Sequence, residues 1–430
     1  MSTITSLYSE RLFDKSYQPS TLIELLRWRA LHHPDRVAYT FLVDGEREEI
    51  NLTYGELDRQ ARSISAALQA QGLSGERILL LYPPGLEFIS AFFGCLYTKA
   101  VAVPAYPPRL NRNLLRLQAI VEDAQAKATL TTTAILSKIE PLLKQVDCLR
   151  SLRLLATDGI KMPSEDDWQE PDVTADVLAF LQYTSGSTGI PKGVMLAHGN
   201  LLSNASLIHQ VMEHTADEKY ISWLPTFHDM GFMAGVLQPL YGGFPAILMS
   251  PVSFLQSPLR WLQAISRYQG TTSGGPNFAY DLCVRKISAE ERESLDLSSW
   301  TGAFNGAEPI RGDTLERFAA TFESCGFRRE TFFPCYGLAE ATLMVSGGKK
   351  DAPPISRAFQ NSALESNRVT QVDASDERGR SLVACGAAMP GQKIVFANPE
   401  TLAQCPPDEV GEIWASGPGI AQGYWNRKAE

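Results

Sequence analysis

Short apolar runs with strand character alternate with helical stretches along most of this chain, and that rhythm constrains its fold more than any other feature. RILLLY (77–82), VAVPAY (101–106), TLTTT (129–133) and LRLLAT (152–157) are separated by stretches with helical patterning near 85–98, 112–124 and 134–146. Strand–helix–strand units of this kind build a mostly parallel sheet with helices on both faces. Ahead of them, Thr53 and Glu56 have the spacing of a capping box, Leu57, Ala61, Ile64 and Leu68 share one helical face, and Gly72 offers a stop. The apolar stretch 78–97 raises a membrane question, but Pro83, Pro84, Gly85 and Glu87 interrupt it. A strand, a turn and a buried helix account for it, so no stable membrane insertion is expected.

Residues 158–175 are acidic, proline-containing and unpatterned, and read as a linker. A second α/β unit begins with VLAFLQYT (177–184) and continues through YISWL, PAILMS, WTGAFN and TFFPCY. After about residue 345 the chain becomes turn-rich, and LVACG, KIVFAN and EIWAS follow as short strands without helices between them. The expected fold is therefore α/β: two parallel-sheet α/β subdomains followed by a small antiparallel β-barrel-like subdomain. The expected boundaries are 1–175 for the first, 176–345 for the second with the phosphate loop and nucleotide motifs, and 346–430 for an insertion and a partial β subdomain.

Composition removes several classes of function. A net charge of −9 repels phosphate backbones, and the one short basic run, Arg109, Arg112 and Arg116, carries no interleaved aromatics, so nucleic acid is not an expected partner. The seven cysteines are scattered and never spaced as CxxC, which fits neither a zinc site nor a disulfide scaffold. His209 and His214 lie five apart, not the four that aligns two ligands on a helix, and His32 and His33 close a helix before Pro34. The N-terminus has no basic start followed by an apolar core, and a cytoplasmic location is expected.

One loop carries chemistry. YTSGSTGIPKGV (183–194) follows a strand directly and packs hydroxyls and two glycines into 184–189 before Lys192. Glycines let backbone N–H groups approach phosphate, hydroxyls add donors, and lysine neutralises charge. Pro191 occupies the place where a Walker loop needs its second glycine, GPGIAQG (417–423) misses the dinucleotide fingerprint, and no GxSxG elbow occurs.

TSGSTGIPKG closely resembles the signature loop of the adenylate-forming superfamily, which includes acyl-CoA synthetases, peptide-synthetase adenylation domains and fatty acyl-AMP ligases. WLPTFHDMG (223–231), NGAEP (305–309), YGLAEAT (336–342) and GEIWASGPGIAQGYWN (411–426) resemble its further motifs in the same order. PTFHDMGF, SGGPNFAYDLC (273–283), FNGAEPI, PCYGLAEATL and LVACGAAMPGQ resemble the fatty acyl-AMP ligases in particular, as does a long interval over 345–370. The resemblance implies ATP and Mg²⁺ as cofactors, a fatty acid as substrate, and the phosphopantetheine of an acyl carrier protein as acceptor. An acyl-CoA ligase for long-chain acids is the nearest alternative. A catalytically incompetent nucleotide-binding module is the alternative from another class, because the family's small C-terminal domain would lie beyond Glu430.

The same resemblance assigns expected roles. Thr184, Ser185, Gly186, Ser187, Thr188, Gly189 and Lys192 would hold the β- and γ-phosphates, and Glu340 would bind Mg²⁺. Tyr336 would stack on adenine, with Gly306, Ala307 and Glu308 on its other side and Gly337 and Leu338 in the same motif. Many relatives have threonine where this chain has Ala339, so contact with the α-phosphate would pass to Thr342. His228 would orient the substrate carboxylate at the junction of the nucleotide and acyl paths; a carboxylate is already ionised at pH 7 and needs no base. An acyl channel is expected around 232–236 and 274–278, with Phe232, Gly274, Gly275 and Phe278 as its wall.

Overall fold

The computed structural model describes residues 18–108, 114–159, 162–184 and 191–427. The chain enters through a helix, Leu22–His32 (α1), whose N-cap Thr21 accepts from Glu24 N–H and whose last turn carries His32 just before Pro34. An antiparallel pair follows, Val37–Leu42 (β1) and Glu49–Thr53 (β2). The helix Tyr54–Ala70 (α2) starts on the expected capping box, with Thr53 and Glu56 each satisfying the other's backbone N–H.

The next strands are Arg77–Leu80 (β3), Val101–Pro104 (β4), Ala128–Thr131 (β5), Arg153–Ala156 (β6), Leu178–Thr184 (β7) and Lys192–Ala197 (β8). They form one six-stranded sheet in the order β6-β5-β3-β4-β7-β8, parallel except for the β7–β8 pair. Glu87–Tyr97 (α3), Leu114–Ala124 (α4) and Thr133–Leu143 (α5) supply the crossovers. The residues of α3 after Glu87 are buried all round, which is why 78–97 looks so apolar in sequence, and no helix among the described residues is long and apolar enough to cross a membrane.

A second sheet is built from Tyr220–Ser222 (β9), Ala246–Met249 (β10), Thr272–Gly275 (β11), Gly302–Asn305 (β12), Phe332–Gly337 (β13) and Met344–Gly347 (β14). Its order is β14-β13-β12-β11-β9-β10-β1-β2, with one short further strand beyond β14. Sheet membership therefore cuts across the expected division at 175/176. β7 and β8 complete the first sheet, and the N-terminal pair β1–β2 closes the far edge of the second, where Tyr39 pairs with Ala246. The local pattern of a strand records its burial but not the strand it will lie beside, so sheet membership is a long-range outcome.

One further expectation changes. The stretch read as a linker is docked on the first sheet's helices: Ser63 donates to the Pro163 carbonyl at 2.6 Å, and Trp168 stacks on Tyr97 at 5.1 Å. The late part consists of small antiparallel sheets, as expected. Ser356–Gln360 (β15), Gln371–Val372 (β16) and Gly379–Val383 (β17) form a three-stranded sheet. Ala387–Ala388 (β18) joins β14, and Lys393–Ala397 (β19) with Glu412–Ser416 (β20) makes a two-stranded ribbon. The two large sheets share a core in which Phe92 meets Phe180 of β7 at 6.0 Å and Phe232 at 4.5 Å. Edge-to-face rings at such distances add about 0.5–1.5 kcal/mol per pair beyond their burial.

Candidate functional site

Strands β12 and β13 run parallel and end side by side, with Asn305 opposite Pro334. In open parallel sheets the crevice outside the C-terminal strand ends is where ligands are held. Here Gly306 and Ala307 leave β12, and 337–340 leave β13, so that small residues and backbone border a cavity of about 480 Å³. Thr184 at the end of β7 and His228 close its mouth, and Tyr336, Leu338, Ala339 and Glu340 line the same wall.

The turn after β13 is tightly specified. A Cβ on Gly337 would fall 1.8 Å from the Leu343 carbonyl oxygen, so only glycine fits. Leu338 N–H donates to that same carbonyl at 2.9 Å. Ala307 (φ +67°) and Thr342 (φ +69°) both sit in the left-handed region, a strain of about 1–3 kcal/mol each that the surroundings must hold. Part of that hold comes from the helix His198–Val211 (α6). Its Asn204 donates to the carbonyls of Ala341 and Met344 at 3.4 and 3.0 Å and accepts from Met344 N–H at 3.3 Å.

Glu340 and Asp229 are the acidic residues on the cavity wall. The Tyr424 hydroxyl donates to Glu340 Oε1 at 2.6 Å, and Ala421 N–H donates to the Glu340 main-chain carbonyl at 2.8 Å. Residues 422–425 run beside β8, with Gln422 N–H bonded to Met195 O and Trp425 N–H to Gly193 O. The Lys192 ammonium lies 5.1 Å from the centre of the Tyr424 ring. The end of the phosphate loop, the late GYWN segment and Glu340 are thus brought together.

His228 caps a short helical turn, Asp229–Phe232, and its Nδ1 lies 2.6 Å from Asp229 Oδ1. The hydrogen bond to Asp229 raises the imidazole's pKa above the usual value, against the opposing effect of burial. With Nδ1 taken up by the Asp229 carboxylate and, at 3.3 Å, by Met230 N–H, Nε2 is left to address a ligand. Burial, with a smaller contribution from Glu340, also raises the Tyr336 phenol.

Of the residues expected from sequence, Thr184, His228, Gly306, Ala307, Tyr336, Gly337, Leu338, Ala339 and Glu340 border this one cavity. Ser185, Gly186, Ser187, Thr188 and Gly189 lie outside the described residues. Glu308 turns away: its Oε1 accepts from Phe278 N–H at 2.6 Å, at the start of the helix Asn277–Lys286 (α7). Thr342 is fully buried and its hydroxyl donates to the Gly419 carbonyl at 2.6 Å, so its single proton is spent on the fold. None of the four expected channel residues borders the cavity. Phe232 belongs to the aromatic core, Gly274 and Gly275 lie against Phe304 and Trp223, and Phe278 is 41% exposed. Ala234, within the expected 232–236 stretch, does border it, and the rest of the apolar wall is made by Ile208 of α6 and Met212 just after it, with Phe304, Leu343 and Met344. Phe304 opens the FNGAEPI motif and Leu343 closes PCYGLAEATL, whereas Ile208 and Met212 lie in none. Only their helical spacing hints that they share a face.

A family model described as AMP-binding enzyme matches residues 26–425. The chain is 48% identical over 417 residues to the medium-chain-fatty-acid–[acyl-carrier-protein] ligase JamA of Moorena producens, covering 96% of this chain and 70% of that protein. It is 34% identical to the medium-chain-fatty-acid–[acyl-carrier-protein] ligase TtuA of Teredinibacter turnerae, covering 94% of this chain and 69% of that one. Among solved structures, a fatty acyl-adenylate ligase from L. pneumophila in complex with acyl adenylate and pyrophosphate superposes with a TM-score of 0.91 at 43% identity. That match covers 97% of this chain and 72% of the other.

Proposed function

The chain belongs to the AMP-binding enzyme family, and from that premise we propose that it is a fatty acyl-AMP ligase acting for an acyl carrier protein. One observation carries the reading: a single cavity joins the nucleotide-side residues Gly306, Ala307, Tyr336 and Glu340 to an apolar wall, with His228 at the junction. A fatty acid in the apolar part would present its carboxylate beside the α-phosphorus of ATP. A carboxylate oxygen then forms the new P–O bond while pyrophosphate leaves with the electrons of the bond broken. Such a reaction needs positioning and charge neutralisation more than proton transfer. A His228 imidazolium favoured by Asp229 suits that task, since it neutralises and orients the attacking carboxylate.

Thr184, Lys192 and the intervening loop would take the β- and γ-phosphates, and Tyr336 would pack on adenine opposite Gly306 and Ala307. The residues present also suit Mg²⁺. No three His, Cys, Asp or Glu side chains converge among the described residues, and Glu340 offers one carboxylate. A magnesium ion bound through one or two carboxylates, substrate phosphates and water has that requirement, and it would neutralise phosphate charge there.

Two curated relatives are named acyl-carrier-protein ligases, which supports a phosphopantetheine thiol as the acceptor and, with it, a cytoplasmic setting. The test is ATP–pyrophosphate exchange with acids of graded length. Exchange that requires a fatty acid and peaks at medium chain length is expected. No acid-dependent exchange at any length would remove the reading. Offering free coenzyme A beside a carrier protein then identifies the acceptor.

A further inference from the structure

The cavity does not end as a plain hydrocarbon tail requires. From the C-terminal ends of β12 and β13 it reaches back to the opposite ends of β9 and β11, where Tyr220 stands beside Thr272. Three residue steps along β11 make that roughly 10 Å of depth. Its middle is apolar, but Gln238, Thr272 and His214 close its far end, with exposures of 1%, 2% and 4%. Buried polar groups are normally paired, and an unpaired one costs roughly five- to a hundredfold in an equilibrium constant.

The protons at this end can be assigned one by one. Thr272 donates its hydroxyl proton to Glu218 Oε2 at 3.2 Å, and Glu218 also pairs with Lys350 at 3.7 Å. The Thr272 oxygen therefore accepts from His214 Nε2–H, 3.4 Å away. A neutral His214 then accepts at Nδ1, and its partner there is the Gln238 Nε2 at 3.2 Å. That chain fixes the amide, leaving Gln238 Oε1 as a buried acceptor with no partner among the described residues. The Tyr220 hydroxyl is also buried without a described partner, but its ring lies along Phe304 toward Cys335, on the β12–β13 side of the cavity.

We propose that the distal end of the acyl cavity selects an acid whose tail carries a neutral hydrogen-bond donor, a hydroxyl, received by Gln238 Oε1. A tail carboxylate is disfavoured, because Glu218 already places a carboxylate at this end and Lys350 is paired with it. The inference rests on the acyl-adenylate reading and narrows its substrate.

The experiment compares plain and ω-hydroxy acids of matched length, from six to twelve carbons, by ATP–pyrophosphate exchange. At the preferred length the hydroxy acid is expected to show about tenfold higher kcat/KM than the plain acid. Gln238→Leu should erase or reverse that preference, mainly through the KM of the hydroxy acid. Equal or better use of plain acids at every length by the unaltered protein overturns the inference while leaving the ligase reading intact. No exchange with any acid of either series removes the ligase reading itself.

Discussion

Glu340 depends on a hydroxyl 84 residues further along the chain. The bond at 2.6 Å takes up one carboxylate oxygen and fixes the direction in which the other points, which matters if that oxygen meets a cation. Tyr424→Phe removes this hydrogen bond and keeps the ring under Lys192. A bond to a charged group is worth about 1.5–3 kcal/mol, so a severalfold rise in the Mg²⁺ concentration for half-maximal exchange is expected, with thermal stability nearly unchanged. An unaltered Mg²⁺ dependence would contradict the role given to this tyrosine. Tyr336, His228 and Gly306 were readable in sequence because each sits in a motif whose spacing follows a strand end. Nothing in its spacing marks Tyr424 as a site residue, and Gln238 lies in no motif: their importance comes from what they meet in space. Glu308 shows the opposite error. An acidic residue after a strand can line a site or cap a neighbouring helix, and side-chain direction is not written in spacing.

Among the elements, α6 does more than cover a sheet. Ile208 and Met212 face the cavity, while Asn204 holds the turn that carries Glu340. Asn200, one turn earlier, donates to the carbonyls of Pro418 and Ile420, so the same helix also fastens the segment that delivers Tyr424. Asn204→Ala removes three hydrogen bonds from the buried polar groups of 341–344, at about 1–3 kcal/mol. Loss of stability by that amount in denaturant titration, together with a larger fall in exchange than in ATP binding, is the expected result. A variant with full activity would show that the turn holds itself. Helix α2 was readable to its capping box because that signal is local. Pairing of β7 with β4, or of β1 with β10, was not, because it depends on partners far along the chain.

For the whole molecule, acid should loosen the fold well before carboxylates titrate. Burial lowers the pKa of His198 and His209 from 6.5 to about 4, and it lowers that of His214 as well. Between those values the unfolded chain binds protons that the folded protein refuses, so stability is complete above about pH 6.5 and falls as pH drops. His198 and His209 each account for up to about 3 kcal/mol by pH 4. His228, half exposed, acts in the opposite sense and weakly. Denaturant titrations from pH 7 to 4.5 should show this slope, and His209→Gln should reduce it by about one proton. A flat profile would place the imidazoles in a wetter environment than the structure does.

The interleaved sheets also bear on how the protein is made. Strand β1 emerges from the ribosome early, yet Tyr39 pairs with Ala246. At about 5–20 residues per second, the strand waits roughly 10–40 s before its parallel neighbour exists. Only the hairpin with β2 occupies it in the meantime, leaving one apolar edge open during synthesis. Helix α1 and the β1–β2 hairpin are therefore the part of the nascent chain with most to gain from a chaperone, and the second sheet is completed late.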